Sequence, residues 1–241
     1  VLDALKDGYR HLDTAQSYFN EEEVGNAIVK SGIPREEIFL TTKVWIEHYG
    51  YEETKKSVFE SLQKLKSNYI DLVLLHQPFG DYYGAWRALE DLYAQGIIRA
   101  IGISNFYPDR MVDICSFARI APMVNQVETH PHNQQIEAQK WMEKYGVQIE
   151  AWAPFGEGRG GLFADETIAK IAAKYNKTVA QVILRSELQR GIVIIPKSVH
   201  IERMEQNFNV FDFELSKEDM ATMASLDKKQ SSFFSHTDPA M

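Results

Sequence analysis

Residues 38–76, IFLTTKVWIEHYGYEETKKSVFESLQKLKSNYIDLVLLH, hold one complete repeat of the pattern that decides the fold. The first stretch, 38–42, and the last, 70–75, are short apolar or β-branched runs of the kind that form strands. Between them Val58, Leu62 and Leu65 recur at helical spacing, giving one apolar stripe on an amphipathic helix. Strand, helix, strand in this order predicts two parallel strands joined by a helical crossover. Working outward, further strand patterns lie at 9–12, 100–103, 123–127, 147–152 and 192–195, making seven. Helical spacing returns between them, as at Ile168, Ile171, Ala172 and Tyr175. Such alternation predicts a parallel sheet wrapped by helices, either a (β/α)8 barrel or a doubly wound open sheet. No GxGxxG turn follows residues 9–12, as a Rossmann dinucleotide site would need, so the barrel is the better reading.

The 241 residues are 44% hydrophobic and 25% charged, enough for one large core. A net charge of −8 argues against a nucleic-acid partner or an anionic membrane surface, both of which need a basic face. An anionic ligand would have to be held by a local cluster of basic residues. No apolar run approaches the roughly 18 residues of a spanning helix, and no signal segment leads the chain. The single cysteine, Cys115, has no second cysteine to pair with, which fits a reducing cytoplasm. Thr178 with Gln181, and more weakly Ser216 with Asp219, read as capping boxes. Residues 1–7 read as a helix closed by Gly8 but lacking a start signal. Since a barrel closes with eight strands, one further strand is expected upstream of Val1. The chain is thus expected to be a single barrel domain, 1–241, incomplete at both ends. Residues 228–241 lack any period and are expected to lie on the barrel as a tail, with Phe233 and Phe234 covering apolar surface.

Barrel active sites form at the carboxyl ends of the strands, so the polar residues there are the ones to question. Asp13 follows the first visible strand, Lys43 the second, His76 the third, Ser104 and Asn105 the fourth and Gln126 the fifth. Trp152 closes the sixth, and Lys197 follows the seventh. Singly, each has a structural reading: His76 as a satisfied core histidine, Asp13 with Lys43 as an ion pair. Seven strand ends that all carry polar or aromatic groups are much harder to dismiss.

LDTAQSYFNEEEVG, residues 12–25, resembles the signature of the aldo-keto reductases, in which an aspartate precedes the catalytic tyrosine by five residues. LLHQP (74–78), GISNF (102–106), NQVETHP (125–131) and IPKS (195–198), followed by Arg203 and Asn207, resemble the family's other blocks in the same order. The chain is closest in look to the bacterial diketogluconate-reductase and prostaglandin-synthase-like subgroup. The resemblance implies an NADPH-dependent oxidoreductase that reduces aldehydes or ketones, possibilities that include keto-sugar acids, with a catalytic tetrad of Asp13, Tyr18, Lys43 and His76. Carbonyl reduction needs hydride at carbon and a proton at the developing alkoxide. Tyr18 can supply that proton if its pKa, near 10 in model peptides, is lowered by an adjacent cation. Lys43 would be that cation and Asp13 would offset its burial, while a neutral His76 would donate to the carbonyl oxygen.

By the same resemblance Ser104, Asn105 and Gln126 hold the nicotinamide carboxamide, and Trp152 stacks on its ring where the family more often has tyrosine. Lys197, Ser198 and Arg203 match the site for the 2'-phosphate of NADPH, with Gln206 and Asn207 near the adenine. Trp45 and Phe106 face the substrate, as does Gln77, where many relatives carry tryptophan. No metal is implied. The partner is a small carbonyl compound, and the protein is expected to be a cytoplasmic monomer or weak dimer. Two rival readings are a non-catalytic NADPH-binding subunit and a Schiff-base lyase using Lys43. The complete tetrad opposes the first, and Asp13 beside Lys43, which should keep the lysine protonated, opposes the second.

Overall fold

The computed structural model describes residues 1–234. The chain divides into two compact units, one of Val1–Asn125 with Trp141–Val147, the other of Gln126–Lys140 and the chain from Gln148 onward.

In the first unit, helix α1 (Leu2–Asp7) ends at Gly8, whose φ of 111° is open to glycine at little cost. Strands β1 (His11–Asp13), β2 (Phe39–Val44), β3 (Leu72–Leu75) and β4 (Ile101–Ser104) then pair in parallel. The register sets Asp13 opposite Thr41 and Lys43 opposite Leu74. Helices α2 (Glu21–Ser31), α3 (Tyr51–Lys64), α4 (Tyr82–Ala94) and α5 (Pro108–Phe117) alternate with them. Val58 and Leu62 turn inward from α3, and Leu65 just after it, onto a core that includes Leu40, Leu74 and Trp86. Gly25 lets α2 approach the end of α3, because a Cβ there would sit 2.4 Å from the Lys64 carbonyl oxygen.

Strand β5 (Val124–Glu128) crosses the division. At its start Met123 N–H donates to Ile101 O, and past its end Thr129 N–H donates to Trp152 O. In the second unit β6 (Gln148–Trp152) pairs in parallel with β7 (Val193–Ile194), and the strand order is β1 through β7. Helix α6 (Ile136–Tyr145) precedes β6, and α7 (Glu166–Tyr175), α8 (Val179–Gln189), α9 (Ile201–Phe208) and α10 (Lys217–Ala224) follow it. Ile168, Ile171 and Ala172 pack with Val182, Ile183, Leu215 and Met223, and Tyr175 closes over them.

All seven expected strands form, but most are shifted toward their carboxyl ends. Asp13 and Lys43 therefore lie inside β1 and β2 rather than after them, and Gln126 lies in the middle of β5, within the expected 123–127. Apolar runs mark burial, whereas the ladder is a backbone property that polar residues continue equally well. The Thr178–Gln181 capping box is complete. At Ser216 only half forms: the hydroxyl accepts from Asp219 N–H, but Ser216 N–H donates to Tyr175 Oη. The Asp219 carboxylate is drawn instead to Lys174, Tyr175 and the Ser216 hydroxyl.

The tail docks on its own unit as far as it is described. Lys228 N–H donates to His132 O, Ser231 Oγ–H to Glu128 Oε2 at 2.5 Å and Ser232 N–H to Glu128 Oε1 at 2.7 Å. Glu128 is fully buried, and burial pushes its pKa up. Hydrogen bonds from His130, Ser231 and Ser232 outweigh burial and hold it below the ordinary carboxylate range. Phe233 packs on Trp152 with ring centroids 5.0 Å apart, and the Arg159 guanidinium lies 4.6 Å from the Phe233 ring. Residues 235–241 of the expected tail lie outside the described residues.

Candidate active site

Four of the expected residues come together in the first unit. Lys43, near the end of β2, is fully buried at 0% exposure. Its Nζ donates to Asp13 Oδ1 at 2.5 Å, Thr14 O at 3.1 Å and Tyr18 Oη at 3.4 Å, one acceptor for each proton of the ammonium. Burial pushes the Lys43 pKa down. The charges of Asp13 and Tyr18 and their hydrogen bonds outweigh it and hold the pKa above the ordinary value. Lys43 is thus a charged ammonium at neutral pH. Tyr18 is 48% exposed, so its phenol reaches from that buried cation to the surface.

Tyr18 stands on a 3-10 turn, Gln16–Tyr18, that one side chain bolts to its surroundings. Gln16 Nε2 donates to Ser57 O and to Ser61 Oγ, and Gln16 Oε1 accepts from Trp45 N–H at 2.9 Å. His76 follows β3 and is buried, with its ring edge-on to Tyr18 at 5.7 Å and to Trp45 at 5.1 Å. Its Nδ1 lies 3.3 Å from Ser17 Oγ. Asn105, at a φ of 64°, donates through Nδ2 to His76 O and to Ser104 Oγ, so these strand-end residues brace one another.

Among the expected substrate residues, Trp45 and Gln77 are half-buried, and Gln77 Oε1 is buried without a hydrogen-bond partner among the described residues. Phe106 departs from the expectation. It is 0% exposed, packs edge-on against Tyr82 at 5.3 Å and offers no surface to a ligand.

The remaining expected residues lie in the second unit. Gln126 Nε2 donates to Glu150 Oε1 at 2.5 Å, both side chains buried, and Trp152 ends β6 half-buried against Phe233. Ser198 folds its hydroxyl onto His200, accepting from its N–H at 3.1 Å just ahead of α9. Lys197, Arg203 and Gln206 are exposed, and Asn207 is buried. Lys197 and Arg203 have no carboxylate partner among the described residues. Two unneutralised cations six residues apart, in a chain of net charge −8, suit a bound phosphate. No group of three or more metal-ligating residues occurs among the described residues.

Sequence reasoning missed Ser17, the Thr14 carbonyl and Glu150. Ser17 and Thr14 had a signal, since both lie between Asp13 and Tyr18 in residues 12–25; Glu150 had none.

The sequence model of the aldo/keto reductase family matches residues 1–228. The chain belongs to this family. The aldo/keto reductase is 49% identical to the glyoxal reductase of Bacillus subtilis over 231 residues, 95% of this chain and 83% of that one. Among solved structures it resembles MGS-M4, an aldo-keto reductase from a deep-sea metagenome library of the Medee basin. That match has a TM-score of 0.96 and 45% identity, and covers 98% of this chain and 89% of the other. It also resembles Bombyx mori AKR2E4, solved in complex with NADP, with a TM-score of 0.92 and 34% identity over 97% of this chain and 83% of that one. The fold is therefore the (β/α)8-barrel class, with seven parallel strands among the described residues, and the protein is an oxidoreductase of carbonyl reduction.

Proposed function

We propose that this aldo/keto reductase uses NADPH to reduce small, reactive aldehydes and ketones, α-dicarbonyls of the glyoxal type first among them, as one catalytic domain. The observation that carries this reading is the chain Asp13, Lys43, Tyr18, in which a buried ammonium held by a carboxylate touches the oxygen of a half-exposed phenol. Bound NADPH would supply a hydride for the carbonyl carbon. Tyr18 then gives its Oη proton to the developing alkoxide, and Lys43, kept charged by Asp13, stabilises the negative charge left on the phenol. His76 Nε2 donates to the same carbonyl oxygen and fixes its direction.

For the cofactor, Ser104, Asn105 and Gln126 would hold the carboxamide and Trp152 would offer a flat face to the ring. Lys197, Ser198 and Arg203 would hold the 2'-phosphate, with Gln206 and Asn207 beside the adenine. The two uncompensated cations support the choice of NADPH over NADH. Support for a dicarbonyl substrate comes from the relative named for glyoxal. Trp45 would supply the apolar wall. The same reading takes the enzyme as a cytoplasmic monomer or weak dimer, which size-exclusion chromatography and fractionation test.

The decisive experiment is Tyr18→Phe, which should lose roughly 100-fold or more of kcat on glyoxal while binding NADPH with unchanged affinity. Near-normal turnover would overturn the assignment.

A further inference from the structure

We infer that Ser17 is a positioning residue that sets the tautomer of His76, holding its Nδ1 as an acceptor so that the ring proton sits on Nε2. The inference rests on the reading of His76 as the group that donates to the substrate carbonyl. A neutral imidazole carries one proton, and its location is decided by the hydrogen bond made at the other nitrogen. Ser17 Oγ lies 3.3 Å from Nδ1. A hydroxyl donating there keeps Nδ1 unprotonated, and the single proton is left on Nε2. With the reverse polarity Nε2 would be an acceptor, and it would repel the carbonyl oxygen it has to polarise.

The position of the hydroxyl is fixed by its neighbours. Gln16 bolts the turn to Ser57, Ser61 and Trp45, and Tyr18 N–H closes it onto Ala15 O. The imidazole plane is fixed in turn by the edge-on rings of Tyr18 and Trp45. Serine is small enough to sit between two catalytic side chains and still donate, whereas alanine at the same place would leave Nδ1 to whatever water reaches it.

The test uses full-length protein labelled with 15N-histidine, the His76 signals being assigned by their loss in His76→Asn. Two-bond correlation spectra should show an Nε2–H imidazole with an unprotonated Nδ1 in the wild type. In Ser17→Ala the Nδ1 signal should move toward that of a mixture of tautomers, and Ser17→Thr, which keeps the hydroxyl, should restore it. In parallel Ser17→Ala should lower kcat by about 5-fold, the worth of one ordinary hydrogen bond, without changing NADPH affinity. Nitrogen shifts unchanged in Ser17→Ala, or a wild-type ring protonated at Nδ1, would overturn the inference. A tautomer that shifts while turnover holds would support the inference and count instead against His76 as the carbonyl donor.

Discussion

Replacing Asp13 by Asn keeps the shape of the side chain and removes only its charge. Its partner is the Lys43 ammonium, 2.5 Å away, with the lysine side chain 0% and the aspartate side chain 11% exposed. Burial is the largest influence on Lys43, and the Asp13 charge is the foremost one opposing it, so the substitution leaves a buried cation facing three neutral oxygens. Removing one partner of a buried pair costs about 3–5 kcal/mol, against a total stability of about 5–15 kcal/mol. At about 2–4 °C per kcal/mol for a chain of this size, Tm should fall by roughly 6–20 °C. Urea unfolding followed by circular dichroism at pH 7 measures the loss. Adding Lys43→Met to Asp13→Asn should recover much of it, because the orphaned charge is then gone. The pH dependence has a definite sign. The folded pKa of Lys43 is raised, so its contribution is fully present below the unfolded value near 10.4 and is lost as pH rises through the folded one. In Asp13→Asn burial has lost its foremost opponent and lowers the Lys43 pKa, so the gap between wild type and variant should be widest at acid pH and narrow as pH rises and the variant's lysine gives up its proton. A loss under about 1 kcal/mol, or a double variant no more stable than the single one, would refute this account of the pair.

Glu187 in α8 is 3% exposed and neither of its carboxyl oxygens has a hydrogen-bond partner among the described residues; burial raises its pKa well above the usual range, with Arg190 only partly opposing. The unfolded chain gives up that proton near pH 4.3, so wild-type stability should fall as pH rises from there toward the folded value. Glu187→Gln should flatten this dependence, and equal slopes in the two proteins would contradict it. Arg203→Ala should weaken NADPH by about 1.5–3 kcal/mol and leave NADH nearly unchanged, as fluorescence titration of both cofactors can show. Gly25→Ala should cost about 1–3 kcal/mol in thermal unfolding, because the atoms its methyl would meet are backbone atoms of Lys64 and Leu65 that cannot swing aside. An unchanged Tm would mean that α2 shifts freely.

What the sequence made legible was periodic or tightly spaced. Alternation located every strand, and the five-residue step from Asp13 to Tyr18 picked out the pair that Lys43 joins. Strand limits were less legible, since the ladder runs on through Asp13, Lys43, Ser104 and Glu128, whose polarity masks their pairing. Contacts between distant positions left no trace. Glu128 meets Ser231 across 103 residues, and no spacing rule links them. Phe106 misled because an aromatic residue after a strand reads alike whether it faces a ligand or a neighbouring tyrosine.

The turn Gln16–Tyr18 also restricts how this enzyme can diversify. Three successive side chains are committed to three separate places: Gln16 to α3 and Trp45, Ser17 to His76, and Tyr18 to Lys43. Inserting or deleting a single residue would rotate all three out of reach at once, so the loop has no intermediate length through which to drift. Descendants of this sequence that acquire new substrates should therefore carry their length changes elsewhere, and libraries built to retarget the enzyme should leave this loop's length alone and vary what surrounds it.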